Sequence, residues 1–259
     1  MSAPAELLLE VRRLSIAAGG RVLVQELSVE VRAGEFIAVL GRNGCGKSLT
    51  LHALAGLNVP AAGHILLCGT PLSALRRREV ARRLALLPQD REEALAQTTL
   101  EFALIGRHPH LPWWQPEGSS DRAMALAALE RLGVEHCAQR LLSTLSGGEQ
   151  RRAAMAALLT QQPRLYLLDE PTNHLDPHHQ IDMLQLFRGL TAQGAAVIAT
   201  LHDPTLAERY ADRALLLHGD GRWQIGPVAE TLTATALSTL YLTPVSALEV
   251  EGRRAFVIG

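Results

Sequence analysis

Eight residues, Gly41-Arg42-Asn43-Gly44-Cys45-Gly46-Lys47-Ser48, combine glycines that free the backbone with one lysine and one hydroxyl. Placed between an apolar strand and a helix, such a loop turns successive N–H groups and the positive helix end toward an anion. Lys47 is then positioned for β- and γ-phosphates and Ser48 for a magnesium ion. Lys47 is the single lysine among 25 Lys and Arg. A compact ammonium has survived where a planar guanidinium would not serve as a point charge. Gly41, Asn43, Gly44, Cys45, Gly46, Lys47, Ser48 and the amide of Leu49 together read as a phosphate-binding loop. At a helix start beside Lys47, the Cys45 thiol is expected either to have a lowered pKa and react with thiol reagents or simply to fill the loop as a small residue.

A second chemical centre lies far downstream. Leu165-Tyr166-Leu167-Leu168 is an apolar run that ends on two carboxylates, Asp169 and Glu170. The end of such a strand is where open α/β sheets bind ligands. Asp169 is the candidate for Mg²⁺, and Glu170 is the candidate base for an attacking water. Ser146-Gly147-Gly148-Glu149 has the spacing of a capping box, and its helix N-terminus with two glycines is also an anion site. Gln89 and His202 each follow an apolar run; alone, neither spacing assigns them a role.

The elements that must hold these groups are legible from their periods. Leu7, Leu9 and Val11, then Leu27, Val29 and Val31, alternate with polar residues and predict an N-terminal antiparallel layer. Phe36–Leu40, Leu84–Leu87, Leu165–Leu168 and Ala196–Leu201 are nearly continuous apolar runs, as parallel strands covered on both faces require. Between the second and third, Asp121–Leu132 places Met124, Ala128, Leu129 and Leu132 on one helical face, and Ser146–Gln162 is alanine-rich and helical. The reading is an α/β core interrupted by a mostly helical lobe. Gly219-Asp220-Gly221 and Glu251-Gly252 are expected hairpin turns. The arginines of 76–78 and 82–83 are expected to form a solvated helix face.

Bulk properties narrow the function. At 259 residues with 47% hydrophobic content and a net charge of −1, the chain can build a large core and has no global basic field for nucleic acid. Three cysteines lack metal-ligand spacing and fit a reducing compartment. The numerous histidines, His178 and His179 among them, show no ligand spacing backed by a second cluster, so metal binding is not expected from spacing. Residues 1–10 lack the charged leader of a signal peptide, and no apolar run approaches about 18 residues. Any membrane role is therefore expected through a partner.

Leu145-Ser146-Gly147-Gly148-Glu149-Gln150 resembles the LSGGQ-like signature of the ATP-binding subunits of ABC transporters, and the resemblance covers nearly the whole chain. It implies a P-loop NTPase (RecA-like) core with an N-terminal antiparallel β layer and an inserted helical subdomain. The implied division is one ATPase domain, 1–259, with an α/β nucleotide-binding core at 1–88 and 160–259. The helical subdomain, 89–159, carries the signature. It further implies that Ser146, Gly147 and Gly148 bind the γ-phosphate of ATP held on a second copy, in a head-to-tail homodimer. Gln89 matches a residue that senses Mg²⁺ and water, so Ser48, Gln89 and Asp169 are the implied metal set. Glu170, His202 and Gln89 are the implied catalytic set. Thr172-Asn173-His174-Leu175-Asp176 matches the dimer-contact loop, with Asp176 near the nucleotide. Two departures stand out: Ala17 and Ala18 replace the usual adenine-stacking aromatic, and Leu49 replaces a common hydroxyl residue.

Ile105-Gly106-Arg107-His108-Pro109-His110 looks like a segment of importers for ferric siderophores, haem and cobalamin, and Leu87-Pro88-Gln89 agrees. The resemblance implies an ATP-hydrolysing subunit at the cytoplasmic face of a bacterial inner membrane, peripheral to it. The implied partners are multispanning permease subunits and a periplasmic substrate-binding protein, without nucleic acid. An exporter subunit and a soluble ABC ATPase acting on ribosomes or DNA are the alternatives. Trp113 and Trp114 are either a docking surface or packing between lobe helices.

Overall fold

A computed structural model describes residues 5–89, 96–173, 175–250 and 252–259. Strands β1 (Leu7–Ala18) and β2 (Arg21–Arg32) pair antiparallel, as their period of two requires. Leu8 is buried as well as Leu9 and Val11, because the β1–β2 register shifts between Leu7 and Leu9 and turns both leucines inward. The chain continues through β3 (Phe36–Leu40), α1 (Lys47–Leu54), β4 (Ala62–Leu67), β5 (Thr70–Pro71), α2 (Arg77–Ala81) and β6 (Leu84–Leu87). Three helices follow, α3 (Thr99–Leu104), α4 (Ser119–Arg131) and α5 (Gly147–Gln161). Then β7 (Leu165–Leu168), α6 (Pro177–Ala192), β8 (Ala196–Thr200), α7 (Pro204–Tyr210) and β9 (Arg213–Leu217) return the chain to the sheet. Last come β10 (Trp223–Pro227), α8 (Val228–Thr231), α9 (Ala234–Tyr241), β11 (Val245–Val250) and β12 (Arg253–Ile258).

The central sheet has the order β10-β9-β3-β8-β7-β6, parallel except for β10 at one edge. A smaller sheet, β2-β1-β4-β5, lies over one face. Alternate residues of each central strand enter different cores. Ile37, Val39, Leu165, Leu167 and Ile198 pack with the small sheet and α1. Phe36, Ala38, Tyr166, Leu168 and Val197 pack with the helices on the other face. Both faces are dry, which explains why these strands read as unbroken apolar runs. The two expected hairpins are present: β9 and β10 flank Gly219–Gly221, and β11 and β12 flank Gly252. Glu251 lies outside the described residues.

Two local expectations change. The buried stripe of α4 is Asp121, Ala125, Ala128 and Leu129, continued by Leu132, whereas Met124 is exposed. Asp121 starts that stripe, so its i+4 neighbour Ala125 faces inward and Met124 is carried outward. The arginines around α2 are not simply solvated. Arg78 and Arg82 both donate to the Pro109 carbonyl, 2.9 and 2.7 Å away, and Arg78 also donates to Leu111 O. Long side chains thereby fasten the segment after α3 to the edge of the core.

Candidate nucleotide-binding site

Parallel order places the candidates that follow the central strands at one edge. The glycine loop follows β3, Gln89 comes two residues after β6, Asp169 and Glu170 follow β7, and His202 comes two residues after β8. β3 lies between β9 and β8, with crossovers leaving to either side, the topology that opens a crevice beyond the strand ends. Asn43, Gly44, Lys47, Ser48, Glu170 and His202 are among the residues lining a cavity of about 500 Å³ there.

Lys47 begins α1, capped by Gly46 in the left-handed conformation at φ 102°. The Lys47 side chain is buried; its Nζ donates to Gly41 O at 2.9 Å and Arg42 O at 3.3 Å, and among the described residues to no carboxylate. A buried ammonium bonded only to carbonyls retains the charge that a phosphate would neutralise. Asp169 has no solvent exposure; its Oδ1 accepts from the Thr200 hydroxyl at 2.8 Å, and its Oδ2 has no partner among the described residues. A buried, unpartnered carboxylate oxygen is a cation ligand in waiting. Ser48 Oγ lies 3.3 Å from Gln89 Oε1, and these two oxygens and the buried Asp169 carboxylate are of the kind a hard cation takes, although Asp169 is not among the residues lining the cavity.

Glu170 is also buried and sits at φ +47°, a strained backbone setting for a non-glycine residue. Its N–H donates to Thr200 Oγ1 at 2.6 Å. His202 Nε2 lies 2.8 Å from Glu170 Oε1, while Gln89 Nε2 donates to Oε2 at 2.9 Å and Asn173 Nδ2 at 2.5 Å. Three polar side chains thus fix the orientation of one carboxylate. Gln89 joins Ser48 to Glu170, linking the phosphate loop to the acid.

Thr200 and Arg151 complete the site without a local motif to announce them, and Asn173, matched in the sequence to the contact loop, donates to Glu170 as well. Thr200 is fully buried and serves Asp169 and Glu170 at once. Arg151, on α5, donates to Pro88 O at 2.6 Å, Asp169 O at 2.5 Å and Glu170 O at 2.9 Å. A single buried guanidinium therefore ties α5 to the ends of β6 and β7. A hydroxyl in a buried strand and an arginine in an alanine-rich helix were the available signals.

The other candidates lie apart. Ser146, Gly147, Gly148 and Asp176 do not line this cavity among the described residues. Ser146 is exposed and caps α5: its hydroxyl donates to Glu149 Oε2 at 2.6 Å, and its N–H donates there at 2.8 Å. Those bonds hold the Glu149 carboxyl down at about 2. Asp176 caps α6, and the His179 N–H donated to it at 2.9 Å, together with His179 Nδ1 2.7 Å away, lowers its carboxyl pKa. His174 lies outside the described residues. Leu49 is half-buried against the core beneath the small sheet, and Ala17 and Ala18 are exposed at the tip of β1.

Cys45 departs from the expectation of a lowered pKa. It is buried among apolar side chains, and that desolvation pushes its thiol up despite the opposing pull of Lys47. The helix end and the lysine lose to burial, so the thiol is not activated. The segment 105–110 folds inward on the helices: Arg107 pairs with Asp121 at 2.8 Å, and His110 Nε2 meets Gln161 O at 2.8 Å. Trp113 and Trp114 are exposed and touch edge to face, so they do not pack between helices.

Fold and site together define a P-loop nucleotide-binding protein. The family model described as "ABC transporter" matches residues 24–173. The chain is 40% identical to the hemin import ATP-binding protein of Methylobacillus flagellatus over 238 residues, covering 89% of this chain and 87% of that one. It is 36% identical to the ferric enterobactin transport ATP-binding protein of Escherichia coli over 230 residues, covering 88% and 85%. A solved metal-chelate type ABC transporter in an inward-facing conformation superposes with a TM-score of 0.84 at 29% identity, over 97% of each chain. The chain belongs to the ABC transporter family, as an ATP-binding subunit.

Proposed function

We propose that this chain is the ATP-hydrolysing subunit that powers a membrane importer for a metal chelate of the hemin or ferric siderophore class. The observation that carries the reading is the oriented Glu170 beside the Lys47 loop, in a chain whose 40% and 36% identical relatives are hemin and enterobactin import subunits. Cobalamin import belongs to the same chelate class and has less direct support. The core at 1–88 and 160–259 binds nucleotide, and the helical segment 89–159 carries the contact to a second copy.

In the proposed mechanism the loop amides and Lys47 bind the phosphates of ATP. Ser48, Asp169 and Gln89 are the residues that would hold Mg²⁺, which would supply neutralisation of phosphate charge. Glu170 accepts a proton from the attacking water, its carboxylate oriented by Gln89 and Asn173. His202 leaves that carboxylate to face the γ-phosphate. Ser146 and the Gly147 and Gly148 amides of a second copy bind the same γ-phosphate, so two chains close head to tail over two nucleotides. Asp176 contributes from the contact loop. Leu49 gives its amide alone, and Ala17 and Ala18 offer no ring for adenine, so preference for ATP over GTP is expected to be weak.

Among the described residues no helix is long and apolar enough to cross a membrane. The power stroke therefore needs a membrane partner. A groove of about 550 Å³ lined by Leu86, Phe102, Ile105, Pro109, Ala154 and Leu158 suits a short permease helix laid beside the lobe. The proposed location is the cytoplasmic face of a bacterial inner membrane, with a periplasmic binding protein delivering the chelate. ATPase activity of the chain with its permease in vesicles tests the reading. Stimulation by chelate-loaded binding protein is expected; co-purification with ribosomes and no permease would overturn it.

A further inference from the structure

We infer that His136, Cys137 and Glu149 form a binding site for a divalent transition-metal ion of the zinc type, outside the nucleotide cavity. A 3₁₀ turn, Glu135–Cys137, presents the histidine and the cysteine side by side, and the first turn of α5 brings the carboxylate to meet them. One ligand atom from each lies within 4.8 Å of the other two. Cys137 Sγ is 3.4 Å from Glu149 Oε1, and His136 Nε2 is 3.8 Å from that same oxygen. Tetrahedral zinc with bonds of about 2.0–2.3 Å separates its ligand atoms by about 3.3–3.6 Å. The two edges that meet at Glu149 Oε1 lie close to that geometry, and the edge between His136 and Cys137, within 4.8 Å, closes when the exposed imidazole turns toward the sulfur.

The two carboxylate oxygens of Glu149 divide their work. Oε2 holds the Ser146 N–H and hydroxyl at 2.8 and 2.6 Å, whereas Oε1 faces Cys137 and His136. A metal on Oε1 leaves the helix cap intact. Cys137 has no solvent exposure and packs with Leu142, Leu145 and Ala153, while the His136 side chain is 60% exposed. The sulfur is fixed by the core, and the imidazole is an exposed outer ligand on the entry side. A fourth position remains for water. One sulfur, one nitrogen and one oxygen suit Zn²⁺, Fe²⁺ or Co²⁺ and disfavour Mg²⁺ and Ca²⁺.

Binding converts the Cys137 thiol to a metal-bound thiolate and releases its proton to solvent. Thiolate and carboxylate then balance the two charges of the ion. Arg140 opposes this: its Nη1 lies 3.6 Å from Cys137 Sγ and 3.9 Å from Glu149 Oε1, while Nη2 is anchored on Thr144 O at 3.0 Å. Removing that guanidinium should tighten the site. Because Glu149 also holds Ser146, occupancy would stiffen the start of α5. That consequence for transport rests on the proposed function, but metal binding itself does not.

Co²⁺ titrated into the full-length, nucleotide-free chain reads the site optically. A thiolate-to-Co²⁺ charge-transfer absorption is expected to saturate at one ion per chain and to vanish on adding Zn²⁺. Cys137→Ser should abolish it, His136→Gln should weaken binding at least about ten-fold, and Arg140→Gln should strengthen it. His136 is exposed, so its variant keeps the test clear of folding defects. Cys68→Ser should leave the absorption unchanged. Absence of the thiolate absorption, its survival in Cys137→Ser, or its loss in Cys68→Ser would overturn the inference.

Discussion

Thr200→Val replaces one hydroxyl by a methyl group at constant volume and disconnects both acids of the site. The Thr200 side chain is fully buried, accepts from Glu170 N–H at 2.6 Å and donates to Asp169 Oδ1 at 2.8 Å. A buried N–H without an acceptor costs about 1–3 kcal/mol, and a hydrogen bond to a charged group contributes about 1.5–3 kcal/mol. Asp169 would lose its remaining side-chain donor while its Oδ2 already has none among the described residues. The sum places the loss at about 2.5–6 kcal/mol, which for a chain of this size lowers the melting temperature by roughly 5–24 °C. Glu170 also depends on that contact for its strained φ of +47°. Release of the strain should move the carboxylate and lower kcat by about ten-fold or more. Urea unfolding and steady-state ATPase assays measure the two effects, and Thr200→Ser should restore both. A Thr200→Val protein with wild-type stability and kcat would refute the reasoning that this hydroxyl holds the acids.

Gly106→Ala should destabilise the helical segment, because its Cβ would lie 2.3 Å from Ala157 O and 2.8 Å from Gln161 N on α5. The expected loss is about 1–3 kcal/mol in urea unfolding, and an unchanged midpoint would contradict the close packing. Asp121→Asn should lose about 2–3 kcal/mol near neutral pH through the broken bond to Arg107. Arg107, with the Gly118 N–H, holds the Asp121 pKa below its ordinary 3.8. Its stabilisation is therefore present above about pH 3.8 and fades as pH falls through the folded value. Melting temperatures of the two proteins should converge with acid; a constant gap would contradict that assignment.

The local signals in the sequence carried a long way. Gly41–Ser48, the acids after Leu168 and the Ser146–Glu149 box each depend on neighbours in the chain, so spacing exposes them. The parallel strands were legible because both of their faces are buried. What stayed hidden depends on distant contacts. Thr200 acts on residues 31 and 30 positions away, and Arg151 reaches carbonyls 63, 18 and 19 positions away. The Cys45 pKa was misread because its sequence neighbours are polar or small while its spatial neighbours are Val39, Leu51 and the small sheet. Met124 was misplaced by one position, since the α4 stripe starts from the buried Asp121. Arg78 and Arg82 carry charge that reads as solvated, yet they find carbonyls on a segment near 109–111. The meeting of His136 and Cys137 with Glu149 likewise arises from a fold that brings a turn to the next helix.

The central claim is that one nucleotide is held by Lys47 of one copy and Ser146 of another. Sedimentation of the Glu170→Gln protein with and without saturating ATP tests it most directly. A dimer that appears with ATP, and is lost when Ser146→Arg is added while nucleotide binding persists, is the predicted result. A Glu170→Gln protein that binds ATP and stays monomeric would contradict the account.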